Sequence, residues 1–222
     1  MKKLLSLLFA ASLIVGCSPK HKPSFEPTAP FKSYMKSVAT LNIQGDQEDS
    51  FQPICSTTSI NSEKHYWLTA AHCVVGKGEK FFILEDKAQP LLIDVPNDLA
   101  ILKTNWKHLP ARPLASVAPT YGDKLILVGY PRLLRMKEPS MAFGWVSHPS
   151  MKLENKFIMS PFLKHSFMVA QIAVAPGNSG SGVFNVRGDL VSVLQAGFSE
   201  LFSSVALSAP FESVKKYASY WK

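Results

Sequence analysis

Leu68-Thr69-Ala70-Ala71-His72-Cys73 is the stretch on which the reading of this 222-residue sequence turns. His65 to Ala70 reads as an apolar strand entering a tight turn, and the turn delivers a histidine beside a cysteine. Small Ala70 and Ala71 let the backbone pack closely behind the imidazole. Taken alone, such a histidine is an ordinary core residue. Two further segments change its weight. Asn97-Asp98-Leu99-Ala100-Ile101-Leu102 opens an apolar run with an aspartate, which would bury the carboxylate and leave it needing a donor. Pro176-Gly177-Asn178-Ser179-Gly180-Ser181-Gly182 flanks a serine with glycines, which let the chain turn sharply and bring N–H groups inward. Singly, the aspartate reads as a cap and the Gly-Ser segment as a loop.

Short β-branched runs surround these segments. Ser37–Ile43, Phe81–Leu84, Leu91–Ile93 and Leu99–Leu102 are candidate strands. A second set covers Lys124–Gly129, Ala142–Ser147, Ser166–Ile172, Gly182–Asn185, Leu190–Gln195 and Ser203–Ala206. Even spacing and little helix predict an all-β sandwich or barrel, with no βαβ rhythm and no repeat. In the last stretch, Phe211, Val214, Tyr217, Ala218 and Trp221 fall at helical spacing, which predicts a C-terminal helix over Phe211–Lys222.

Together the three segments resemble the trypsin-like (chymotrypsin-fold) serine peptidases, in which the chain order is also His, Asp, Ser. The resemblance covers nearly all of residues 37–222. It implies an all-β fold of two antiparallel six-stranded β-barrels packed face to face, with a C-terminal helix. The barrels are expected at about 34–118 and 119–208, and the whole peptidase domain at 34–222. The Ser segment departs from many animal members at Asn178, Ser181 and Gly182, and looks closer to bacterial branches such as the HtrA-like and glutamyl-endopeptidase-like ones. Gly122-Asp123-Lys124-Leu125-Ile126-Leu127-Val128-Gly129-Tyr130-Pro131 also resembles a strand common in that group.

The resemblance implies endopeptidase chemistry with His72, Asp98 and Ser179 as the triad. His72 would take the serine proton and return it to the leaving amine. Asp98 would hold the imidazole tautomer. The N–H groups of Gly177 and Ser179 would form the oxyanion hole. By alignment, Ala173 and Val174 line the base and wall of the primary pocket, and Leu194, Gln195, Ala196 and Gly197 the opposite wall. Lack of a carboxylate at Ala173 argues against an Arg/Lys preference, and lack of a histidine at Leu194 against a glutamyl one. A small apolar pocket favours Val, Ala or Leu. Asn178 carries no charge to pair with a freshly cleaved N-terminus, so the active form is expected to assemble without that cleavage. Regulation through a PDZ-like peptide-binding module is not expected.

Rivals within the chain are weaker. Asp94 precedes a Val-Pro turn, Ser181 lies beyond Gly180, and His21, His65, His108, His148 and His165 lack a comparable setting. No Gly-Lys-Ser/Thr follows the glycines, against a phosphate loop. The order Ser-last disfavours an α/β-hydrolase. No cofactor or metal is expected, and protein or peptide substrates are. The alternative from another class is a lipid-anchored binding or chaperone module with a vestigial protease site.

Residues 1–16 read as a lipoprotein signal peptide: Lys2 and Lys3 precede the apolar run Leu4–Val15, and Ile14-Val15-Gly16-Cys17 resembles a lipobox with Cys17 as the acylated residue. The run is shorter than the ~20 residues of a membrane span. Ser18 after the cysteine resembles the pattern of outer-membrane sorting in Gram-negative envelopes. Residues 17–33, with Pro19, Pro23, Pro27 and Pro30, read as a Pro-rich tether. The chain is thus expected to be exported and held on the bacterial envelope through Cys17. Export makes a Cys55–Cys73 disulfide the default, two reduced buried thiols being the alternative. Such a bridge also fits the one that often braces the His loop in the resembled family. The net charge is +8, of which Lys2 and Lys3 supply two, leaving +6 after processing. No dense Arg/Lys run with interleaved aromatics points to nucleic acid. Apolar residues at 46% and charged residues at 18% exclude a disordered chain.

Overall fold

A computed structural model describes residues 29–45, 50–77, 80–105, 109–132, 136–152, 166–197 and 203–222. The expected signal peptide, Cys17, most of the tether, and His21, His108 and His165 lie outside the described residues.

The chain forms two closed barrels of six antiparallel strands each. Barrel one is built from β1 (Val38–Gln44), β2 (Phe51–Asn61), β3 (Tyr66–Thr69), β4 (Phe81–Ile83), β5 (Asp86–Asp94) and β6 (Leu99–Lys103), closed in the order β1-β2-β3-β6-β5-β4. Barrel two uses β7 (Lys124–Gly129), β8 (Ser140–Lys152), β9 (Ser166–Val174), β10 (Gly182–Phe184), β11 (Leu190–Gly197) and β12 (Ser203–Ser208), in the order β10-β11-β12-β9-β8-β7. The short helix α1 (Ala29–Met35) precedes barrel one and takes up residues 29–33 of the expected tether; Tyr34 stacks on Phe184 of barrel two, with ring centroids 6.0 Å apart.

Alternation along the strands builds three large apolar cores and a small one of Phe167, Val169 and Leu207 among the described residues. Trp67 and Leu102 point into barrel one with Leu41 and Ile83. Their neighbours Leu68 and Ile101 point the other way, to a shared core with Ile126, Val128 and Phe184 of barrel two. Leu125 and Leu127 alternate with those residues into the interior of barrel two. Both faces of β6 and β7 are therefore buried, which is why their sequences read as unbroken apolar runs. Each such side chain contributes roughly 1.5–3 kcal/mol by leaving water. This shared core fixes one barrel against the other, and residues 72, 98 and 179 sit where the two meet.

Two expectations need correction. The C-terminal helix α2 covers only Phe211–Lys215; the chain tightens into a 3-10 turn at Ala218–Trp221. Buried Phe211, Val214 and Tyr217 keep the helical spacing, while the Trp221 indole N–H donates to the Arg112 carbonyl at 2.9 Å. Strand β2 was not anticipated: it carries Ser56, Thr57, Thr58 and Ser59 at buried positions, and side-chain hydrogen bonds of Ser56, Thr57 and Ser59 stand in place of apolar alternation.

Candidate active site

His72 lies in a 3-10 turn, Ala71–Cys73, at the end of β3. Ala70 and Ala71 are fully buried, so nothing larger than a methyl group fits behind the ring. The backbone N–H of His72 donates to Oδ1 of Asp98 at 2.8 Å, and ring Nδ1 lies 2.8 Å from Oδ2. With Nδ1–H given to the carboxylate, Nε2 is left as the basic nitrogen.

Asp98 is wholly buried and adopts a left-handed conformation, φ 49° and ψ 49°. For a non-glycine residue this costs about 1–3 kcal/mol and persists only where neighbours enforce it. Several do. The side chain of Asp94 caps the turn Val95–Asn97 that leads into Asp98. The Gln195 amide donates to the carbonyls of Asn97 and Asp98 at 2.7 and 3.1 Å. From α2, Ser213 donates to Asn97 Oδ1 at 3.1 Å, and the Tyr217 hydroxyl and Lys216 ammonium hold Asp94. Burial raises the Asp94 carboxyl, but the hydrogen bonds of Tyr217 and Asn97 and the charge of Lys216 outweigh it and hold it below its ordinary value. Asp94, the rival aspartate, is thus a cap and an anchor for the C-terminal helix.

Ser179 sits in the tight loop before β10, its hydroxyl 3.3 Å from the Gln195 carbonyl. Two glycines make the loop possible. Gly177 has φ +99°, and a Cβ there would fall 2.4 Å from the backbone nitrogen of Arg132. At Gly180, φ +83°, a Cβ would fall 2.1 Å from the Ser56 carbonyl oxygen. The loop carbonyls are taken by protein donors: Pro176 O accepts from the Arg132 N–H, Gly177 O from the Ser56 hydroxyl, Asn178 O from the Ser181 N–H and Ser179 O from the Ser56 N–H, at 2.8, 2.9, 2.9 and 2.8 Å. Among the described residues, no protein acceptor takes the N–H groups of Gly177 and Ser179. Two adjacent unpaired N–H groups make an anion-binding concavity.

Ser179 borders two chambers. One, of about 230 Å³, also holds His72, the Cys55–Cys73 bridge and Gly177. The other, of about 90 Å³, is lined by Val174, Leu194, Ala196 and Gly197, with Ala175 and Pro176. Four of the six residues expected at the primary pocket thus line it. Ala173 and Gln195 do not: strand alternation turns them to the opposite face, Ala173 outward and Gln195 to the Asp98 turn.

Cys55 and Cys73 form a disulfide. Among the described residues, Cys55, His72 and Cys73 are a cluster spaced to hold a metal ion, but both sulfurs are spent on each other. Ser181 is buried away from the cleft, and His148 accepts from the Ser150 N–H and packs edge-on against Tyr121. Sequence reasoning missed Ser56 and Arg132. Neither sits in a motif; Ser56 lies in β2, whose buried stretch Ser56–Ser59 is polar and carries no apolar pattern.

Residues 55–193 match the model of the trypsin-like peptidase domain. A probable periplasmic serine endoprotease of the DegP-like kind from Hahella chejuensis is 31% identical over 139 residues, covering 60% of this chain and 28% of the relative. Another from Pseudomonas putida is 30% identical over 155 residues, covering 68% of this chain and 30% of the relative. The chain therefore spans less than a third of the length of these curated relatives. Among solved structures, an HtrA-type protease AlgW with a decapeptide superposes with a TM-score of 0.71 at 20% identity, over 86% of this chain and 66% of that one, a likeness of fold. With more than half of its residues matched by the domain model, the chain belongs to the trypsin-like peptidase family.

Proposed function

We propose that the protein is a serine endopeptidase using Ser179, His72 and Asp98. The observation that carries this reading is the pair of 2.8 Å hydrogen bonds from His72 to buried Asp98, on a histidine that shares a chamber with Ser179. His72 Nε2 removes the Ser179 proton as Oγ bonds to the substrate carbonyl carbon. The negative charge that forms on the carbonyl oxygen is held by the N–H groups of Gly177 and Ser179. Collapse breaks the C–N bond; the amine leaves with the proton from His72, and an acyl-Ser179 ester remains. Water, deprotonated by His72, attacks the ester and releases the acid and free Ser179. The small chamber beside Ser179, walled by the side chains of Val174, Leu194 and Ala196, takes an aliphatic side chain on the acyl side.

Relatives named as periplasmic endoproteases support export, and the lipobox-like Ile14-Val15-Gly16-Cys17 supports envelope anchoring through Cys17. Digestion of an unfolded protein such as reduced casein tests the activity: parent cleaves, Ser179→Ala does not, and equal cleavage by both contradicts the reading. Anchoring is tested by labelled-palmitate incorporation, expected in the full chain and absent after Cys17→Ser.

A further inference from the structure

We infer that the leaving-group side of the cleft selects substrates with Asp or Glu just after the cleaved bond, through Lys77 and Arg132. This rests on the serine-peptidase reading above and adds a substrate class to it.

The two chambers at Ser179 can be assigned to the two halves of a substrate from the chemistry alone. The departing amine takes its proton from His72. Residues after the cleaved bond therefore lie on the side where His72 is, and that is the 230 Å³ chamber. The acyl half is left with the smaller chamber, which His72 does not line. The leaving side continues into a further hollow of about 420 Å³ bordered by Thr40, Gln52, Tyr130 and Met136. Arg132 lines both, so the departing segment must pass it.

Among the described residues, the ionised side chains that line this path are the cations Lys77 and Arg132, and no Asp or Glu lines either hollow; a described carboxylate that acts on it is Glu138, felt by Tyr130. Both cations are exposed, and neither has an ion-pair partner among the described residues. Asp98, the carboxylate closest in sequence space to the chemistry, is fully buried with both oxygens spent on His72. Arg132 is also held in place. Its N–H donates to Pro176 O at 2.8 Å, and Gly177 packs so closely that a Cβ would strike the Arg132 backbone. The guanidinium therefore starts from a backbone point tied to the loop that carries the Gly177 and Ser179 N–H groups. Its planar fork matches a carboxylate in two hydrogen bonds, while Lys77 adds a mobile point charge. A net charge of +8 on the whole chain works in the same direction.

The test is digestion of a proteome-derived peptide library, reading the first two residues after every cut, with fluorophosphonate labelling of the same enzyme in parallel. At low salt, Asp and Glu are expected to be enriched over Lys and Arg by roughly three- to tenfold, the range that one or two solvent-exposed ion pairs supply. The enrichment shrinks at high salt, because exposed pairs are screened. The Lys77→Glu/Arg132→Glu double variant is expected to invert it toward Lys and Arg. A labelled parent enzyme with no acidic enrichment overturns the inference and leaves the peptidase reading standing. Enrichment that survives in the double variant overturns the assignment to Lys77 and Arg132. An unlabelled enzyme that cuts nothing overturns the peptidase reading and this inference with it.

Discussion

The hydroxyl of Ser56 donates to the carbonyl oxygen of Gly177 at 2.9 Å, so that barrel one holds the loop of barrel two on which Ser179 stands. The same hydroxyl accepts from the Tyr130 N–H at 2.9 Å, and Thr69 donates to the Ser56 carbonyl at 2.8 Å. Ser56 follows Cys55, whose partner Cys73 follows His72. A single short stretch of β2 thus joins the loop that carries the Gly177 and Ser179 N–H groups to the turn that carries His72.

Ser56→Ala leaves the Gly177 carbonyl without its partner and loosens the Gly177–Asn178 peptide, which lies between the Gly177 and Ser179 N–H groups. Turnover is expected to fall about 10–100-fold with KM unchanged, since the lost interaction acts in the transition state. Thr57→Ala is the control: it removes a buried hydrogen bond of the same strand, Thr57 Oγ1 to Leu68 O at 3.1 Å, away from the loop. It should lower thermal stability by a similar ~1 kcal/mol with turnover intact. Equal losses of turnover in both would reduce Ser56 to a structural residue. Steady-state kinetics beside melting curves decide it.

Asp98→Asn keeps the size of the side chain but offers one oxygen where two are used, by the His72 N–H and by Nδ1. The amide NH₂ favours the wrong imidazole tautomer. Turnover is expected to drop about 10⁴-fold at neutral pH. A pH–rate profile checks this, with part of the loss expected to return at alkaline pH.

Asp94 links the turn that holds Asp98 to the C-terminal helix, and its carboxyl titrates lower in the folded chain than its ordinary value. A depressed carboxyl stabilises the fold above its unfolded value of about 3.9, and that contribution is lost as pH falls through the folded value. Asp94→Asn should therefore cost about 1–2 kcal/mol at pH 7. The gap to the parent should close as the medium is acidified below about pH 3.9. Urea unfolding across pH measures both.

Asn178 is buried, and among the described residues its Oδ1 has no hydrogen-bond partner. Its oxygen lies beside Gly129 and near the Ser181 hydroxyl. Asn178→Asp would place a carboxylate there with no compensating cation on those neighbours. A loss of about 3 kcal/mol at neutral pH is expected, recovering as pH is lowered and the group neutralises. Thermal melts at pH 5 and pH 8 compare the two. A stable, active Asn178→Asp variant would show that the loop can accept a charge of the kind that cleavage-activated relatives pair with a new N-terminus.

Much of this was legible in the sequence because period-two alternation and turn residues report on strands buried against an apolar core. Lys124–Gly129 reads as a strand and is one, since both its faces meet core. Strand β2 was illegible for the opposite reason: Ser56, Thr57 and Ser59 are buried with their hydroxyls hydrogen-bonded, which leaves no hydrophobic signature. Gln195 was expected in the pocket wall with Leu194, Ala196 and Gly197; its carbonyl lies beside the Ser179 hydroxyl while its side chain points away. In a strand, Leu194 and Ala196 facing the cleft turn Gln195 away, and it reaches the Asp98 turn 97 residues earlier in the chain. The cations of the leaving side were invisible for a third reason: Lys77 and Arg132 belong to different barrels and meet only in the fold.

The central claim is that His72 and Asp98 activate Ser179. Fluorophosphonate labelling of the folded, disulfide-bonded protein, with mass spectrometry of the labelled peptide, tests it most directly. The account predicts one label per chain on Ser179, lost in Ser179→Ala and strongly slowed in His72→Ala. A folded parent that takes no label, or a label that persists undiminished in Ser179→Ala, would contradict it.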